Sequence, residues 1–85
     1  MTIIKKTNEE IYYSTYDLGI ASSLVSKGYE LISLDKANRQ KVKFIFQNEP
    51  GIDELVESYW IDKLEVKART LFDNIRMLKN RLHSE

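Results

Sequence analysis

The side chains here with the most chemical potential are His83, the only histidine, and the carboxylates Asp53, Glu54 and Glu57. A histidine metal site needs carboxylate or imidazole partners at ligating spacing, and His83 has none, lying next to the closing Ser84-Glu85. Such a histidine is expected to be a solvated surface group. The three carboxylates follow Pro50-Gly51, where a helix should begin, and acids there complement the positive end of the helix dipole. They read as a solvated face. The chain has no cysteine, which excludes disulfides, thiolate metal sites and cysteine nucleophiles together. Gly19, Gly28 and Gly51 lie too far apart to cradle phosphate, and no nucleophile-elbow, Walker or dinucleotide pattern occurs. No catalytic residue, metal site or cofactor is expected, and so no enzyme.

The aromatic pair Tyr59-Trp60 has two readings. Large aromatics dominate core burial, so the pair can anchor a helix to a sheet. That is the leading reading; the alternative is a docking surface, extended by Tyr12 and Tyr16, since Tyr and Trp also carry most of the energy at protein interfaces. The sequence is compatible with either.

The elements that position these groups are built around a hairpin. Tyr29 to Leu34 and Lys41 to Gln47 flank the polar loop Asp35 to Gln40. Val42, Phe44 and Phe46 alternate with Lys41, Lys43 and Gln47, the period of a strand with one buried face, while Ile45 adds an apolar group to the other. Glu10 to Ser14 reads as a short first strand, with Ile11 and Tyr13 on one face and Tyr12 on the other. A helix should start at Ser14 to Asp17, capped by Ser14 or Thr15, with Asp17 in its first turn. Its apolar stripe is Leu18, Ala21, Leu24 and Val25, with Ile20 at the margin, and Gly28 supplies the left-handed position that ends it.

Pro50 belongs to the first turn of a second helix that buries Ile52, Leu55, Val56 and Tyr59, with Trp60 at its end. Residues 61–67 either continue that helix or bend at Leu64 to Val66. In the closing segment Leu64, Ala68, Leu71, Ile75, Leu78 and Leu82 recur at alternating four and three, widened by Phe72, with Arg69, Asp73, Arg76 and Asn80 opposite. The order β-α-β-β-α-α predicts a small α+β domain: a three-stranded, mainly antiparallel sheet packed by helices. The third strand should lie between the other two, with a partly apolar patch left on the second face of the sheet.

Eighty-five residues suit one domain, assigned to 10–85, preceded by a polar, loosely attached segment 1–9. No apolar run approaches the roughly 20 residues that span a bilayer, and the opening residues lack a signal-peptide core. A cytoplasmic location is expected, with no membrane partner. Net charge is zero but uneven: residues 1–62 hold 7 Lys/Arg against 10 Asp/Glu, and residues 63–85 hold 6 against 3. A dedicated nucleic-acid binder usually carries a stronger basic excess.

Tyr13 to Leu18, Ala21, Leu24, Lys27-Gly28-Tyr29, the strand Val42 to Phe46, Tyr59-Trp60, Val66 to Arg69 and Leu78-Lys79-Asn80-Arg81-Leu82 together resemble a small domain family of bacteria and their phages. That family opens on T-x-D-L-x-x-A-x-x-L-x-x-K-G and closes on L-K-x-R-L. The match runs from Ile11 to Leu82. It implies a prokaryotic or phage origin, and it brings no activity with it.

The leading expectation is therefore a non-catalytic protein-interaction or oligomerisation module, pairing with itself or with a host protein. Tyr59, Trp60, Leu78, Lys79, Arg81 and Leu82 are its candidate interface residues. The far end of the last helix, Leu78 to Leu82, should overhang so short a sheet and invite a homodimer. The alternative is a small nucleic-acid-binding regulator contacting phosphates through Arg69, Arg76, Lys79 and Arg81. Ser14 to Leu24 resembles the opening of a helix-turn-helix, but a strand follows where the recognition helix should stand. A phage-encoded inhibitor of a host protein is the third possibility.

Overall fold

The structure is a computed structural model describing residues 11–84. Its order is β1 (Tyr12–Thr15), α1 (Leu18–Ser26), β2 (Leu31–Asp35), β3 (Lys43–Gln47), α2 (Ile52–Trp60) and α3 (Ala68–His83). This is the α+β arrangement that the sequence predicts. The expected loose segment 1–9 lies outside the described residues.

The richest apolar strand, β3, is central, in the order β1-β3-β2 with both pairings antiparallel. Tyr13 pairs with Phe46 and Thr15 with Phe44 on one side. Leu31 pairs with Phe46 and Leu34 with Phe44 on the other, with a bulge between Leu31 and Ser33. Phe44 and Phe46 are buried, and the core around them comprises Ile20, Ala21, Leu24, Ile52, Leu55 and Leu78. The helices lie on that face. The other face carries an open groove of about 700 Å³ lined by Tyr12, Ile32, Ile45 and Lys43, the partly apolar patch expected there.

Helix α1 starts later than expected because β1 runs on to Thr15. Asp17, not Ser14 or Thr15, is the N-cap: its carboxylate accepts from the Ile20 amide at 2.9 Å. Thr15 supports it from behind, its hydroxyl accepting from the Asp17 amide at 3.1 Å. Five consecutive residues, Ile20 to Leu24, are buried. Ile20 is thus core and not margin, while Leu18 and Val25 are half-buried at its rim. The physical reason is that α1 is enclosed by the sheet, α2 and α3 together, so one stripe cannot describe it. Its small residues make this closeness feasible. The Ser23 hydroxyl donates to the Gly19 carbonyl at 2.8 Å, and Ser26 donates to the Ser22 carbonyl at 2.7 Å. Asn74 of α3 then donates to the Ser26 hydroxyl at 2.9 Å, tying the two helices.

Both connections out of helices use the same backbone device. After α1, the Gly28 amide donates to the Val25 carbonyl and the Tyr29 amide to the Leu24 carbonyl, each at 3.0 Å, with Gly28 at φ 95°. After α2, the Asp62 amide donates to the Tyr59 carbonyl at 3.1 Å and the Lys63 amide to the Ser58 carbonyl at 2.8 Å. Asp62 takes the left-handed place at φ 59°. This ends α2 and settles residues 61–67 as a turn and an extended link. Leu64 is therefore not part of the last helix, and its spacing to Ala68 is not helical. Because an L side chain is strained in this region, Asp62→Gly is expected to stabilise the domain by about 1 kcal/mol, read as a higher denaturation midpoint.

Pro50 also departs from expectation. It stands in the turn before α2, and Gly51 at φ 96° occupies the N-cap position. The Tyr29 hydroxyl donates to the Pro50 carbonyl at 3.1 Å, so the first helix's exit and the second helix's entry are joined.

Candidate interaction surfaces

Helix α2 divides the aromatic pair. The phase of the buried residues Ile52 and Leu55, with Val56 beside them, turns Tyr59 inward, where it packs at the rim of the core. One residue is about 100° of helix, so Trp60 must point away. It is 64% exposed, and Ile61 after it is 60% exposed. The Tyr59 and Trp60 rings remain in contact, edge to face, with centroids 5.4 Å apart. The structure thus places Tyr59 at the core and Trp60 at the surface. Tyr12 and Tyr16 are also exposed, the latter beneath the Lys41 ammonium at 4.6 Å.

Beside this end of α2 lies a groove of about 380 Å³, lined by Ser23, Tyr59, Asp62, Leu64, Val66 and Leu71. The exposed face of α2 leading to Trp60 carries Asp53, Glu54 and Glu57. Across the groove, α3 exposes Phe72, 59% accessible, with the Arg76 guanidinium 5.8 Å from its ring centre. Phe72 does not widen the buried stripe of α3 as expected. Ala68 is exposed as well, and α3 buries only Leu78 fully, with Leu71, Ile75, Met77 and Leu82 half-buried.

The candidate residues at the far end of α3 fare differently. Leu78 has no accessible surface and Leu82 packs on the core cluster, so this end does not overhang. Leu78 and Leu82 face the core cluster, whereas Ala68, Arg69 and Thr70 in the first turn of α3 are exposed. Lys79 and Arg81 are exposed. Of the four residues considered for phosphate contact, Arg69, Arg76 and Lys79 share one side of α3, but Arg81 lies roughly 120–140° around the helix from the two other arginines. The Arg81 carbonyl instead accepts from Lys36 Nζ, which also donates to the Ser84 carbonyl at 2.6 Å. Lys36 was not read from the sequence; it caps α3 from 45 residues away, a distance no local pattern spans. Ile61 and Phe72 were missed as exposed groups, although the Phe72–Arg76 spacing of four was a legible signal.

The family model for a domain of unknown function, DUF5659, matches residues 10–84. The chain belongs to this family. Comparison with curated proteins and with solved structures finds no match. Within this DUF5659 domain no group of three or more His, Cys, Asp or Glu side chains among the described residues is placed to hold a metal ion. Nor is any described helix long and apolar enough to cross a membrane.

Two tyrosines in the DUF5659 domain titrate abnormally. Partial burial raises the Tyr59 pKa, reinforced by the Asp17 carboxylate, to which its hydroxyl donates. Burial likewise raises Tyr13, with Asp53 and Asp17 adding to it and a hydrogen bond to Thr15 opposing. A raised folded-state pKa means that the folded chain holds these protons more tightly than the unfolded one. Their contribution is complete below the ordinary value of 10.0 and is lost as pH rises through the folded values. Denaturation midpoints should therefore fall above about pH 10, and Tyr59→Phe should lessen the fall.

Proposed function

We propose that this DUF5659 domain is a non-catalytic protein-interaction module whose docking surface is the Trp60–Ile61 end of α2. The observation that carries this is Trp60 itself, 64% exposed on a well-formed helix whose inward face is already filled. A tryptophan left in water forgoes a large burial energy, and tryptophan is among the residues most enriched where proteins bind. Ile61 and the adjoining groove supply further apolar contact, and Asp53, Glu54 and Glu57 supply a polar rim.

The test places a photo-crosslinking residue at position 60, with a control at Arg39, exposed in the β2–β3 loop. A discrete adduct is expected from position 60 alone, suppressed by excess native chain and not by excess Trp60→Ala. Adducts equal at both positions, or indifferent to competition, would contradict the reading.

A second reading, nucleic-acid binding, draws on Arg69, Arg76 and Lys79 sharing the exposed side of α3. It competes poorly because α1, the helix-turn-helix candidate, is buried within the domain. Duplex DNA is expected to bind no tighter than the non-specific range of about 10⁻⁴–10⁻⁶ M at physiological salt. Submicromolar binding weakened by Arg76→Ala would reverse the order of the two readings.

A further inference from the structure

The exposed faces of α2 and α3 are complementary in charge and in spacing. On α2, Asp53, Glu57 and Trp60 fall within an arc of roughly 60°, with Glu54 on its shoulder. On α3, Arg69, Phe72, Arg76 and Lys79 fall within roughly 80°. All eight are exposed. Measured from the aromatic residue, the acids of α2 stand three and six to seven residues toward its N-terminus, and the cations Arg76 and Lys79 of α3 stand four and seven toward its C-terminus. At 1.5 Å per residue these offsets are about 4.5 and 9–10.5 Å on α2, against about 6 and 10.5 Å on α3. Two such helices laid antiparallel place an aromatic against an aromatic, Glu57 against Arg76, and Asp53 and Glu54 against Lys79.

We infer that the occupant of the Trp60 surface is a second copy of this chain, with α2 of each protomer lying antiparallel along α3 of the other in a two-fold pair. This rests on the reading of Trp60 as a docking surface and names its partner. Two-fold closure uses each stripe once and leaves neither exposed, the arrangement most symmetric oligomers adopt. The complementary charges fix the register and the partner, while the buried aromatics supply most of the affinity. One protomer cannot satisfy both stripes by itself, since α2 and α3 each pack their opposite faces on α1.

The experiment is a charge exchange followed by sedimentation equilibrium. One variant carries Asp53→Lys, Glu54→Lys and Glu57→Lys. The other carries Arg69→Glu, Arg76→Glu and Lys79→Glu. Every altered side chain is solvent-exposed, and circular dichroism confirms that each variant folds. The native chain should dimerise in the micromolar range, more weakly as salt is raised. Each variant alone should associate at least about tenfold more weakly, because like charges then face each other. Mixed in equal amounts, the two should form a heterodimer, since both contacts become complementary again. A native chain monomeric throughout, variants that dimerise as the native chain does, or a mixture that stays monomeric would each overturn the inference. A native monomer that still yields the competed crosslink at position 60 would leave the docking surface standing with a different partner.

Discussion

Phe44→Ala is expected to destabilise the domain by about 3–5 kcal/mol, close to the whole stability of a chain this small. Phe44 is 1% exposed at the centre of β3, bracketed by Thr15 on one side and Leu34 on the other. Truncation removes a ring from a site that the strands on both sides and the overlying helices prevent from collapsing. The neighbouring Lys43→Ala changes the other face, where the ammonium only rests 5.6 Å from the Tyr16 ring. It should cost less than about 1 kcal/mol. Chemical denaturation of the two variants checks this, and equal losses would mean that the strand faces are exchanged.

Leu78→Ala is expected to cost about 2–5 kcal/mol. Leu78 is the one fully buried residue of α3, and its side chain holds that helix to the core. The sequence offered Leu78 as an interface residue because its repeat looked long enough to serve both core and partner. The structure puts it in the core, and the two roles differ in what they predict. Loss of a core contact lowers the denaturation midpoint equally at all protein concentrations. Loss of an interface contact lowers it only where the native chain is associated. Denaturation of Leu78→Ala at low and high concentration should show the first behaviour.

The central strand was legible because alternation of Val42, Phe44 and Phe46 with polar residues has only one structural meaning at that length. The end of α1 was legible through Gly28, whose lack of a side chain is what the left-handed position requires. Asp62 performs the same task with a side chain, so the end of α2 carried no comparable signal, and Leu64 was drawn into a repeat by spacing alone. The burial of Ser22 and Ser23 was hidden for another reason. Hydropathy marks serine as outward, whereas their small volume is what lets α1 be enclosed on several sides. The orientation of Trp60 was in principle readable from the phase of Ile52, Leu55, Val56 and Tyr59, and its place at the end of α2 was read; only the course of residues 61–67 stayed open between helix and bend.

Trp60 is the only tryptophan, so its fluorescence reports on the proposed surface without interference. The most direct measurement is acrylamide quenching of that emission as protein concentration is raised from below to well above the micromolar range. The account predicts red-shifted, readily quenched emission in dilute solution. It predicts blue-shifted, protected emission as the second copy covers the ring, with Arg76→Glu remaining quenchable throughout. Quenching that is the same at every concentration, in the native chain as in Arg76→Glu, would contradict it.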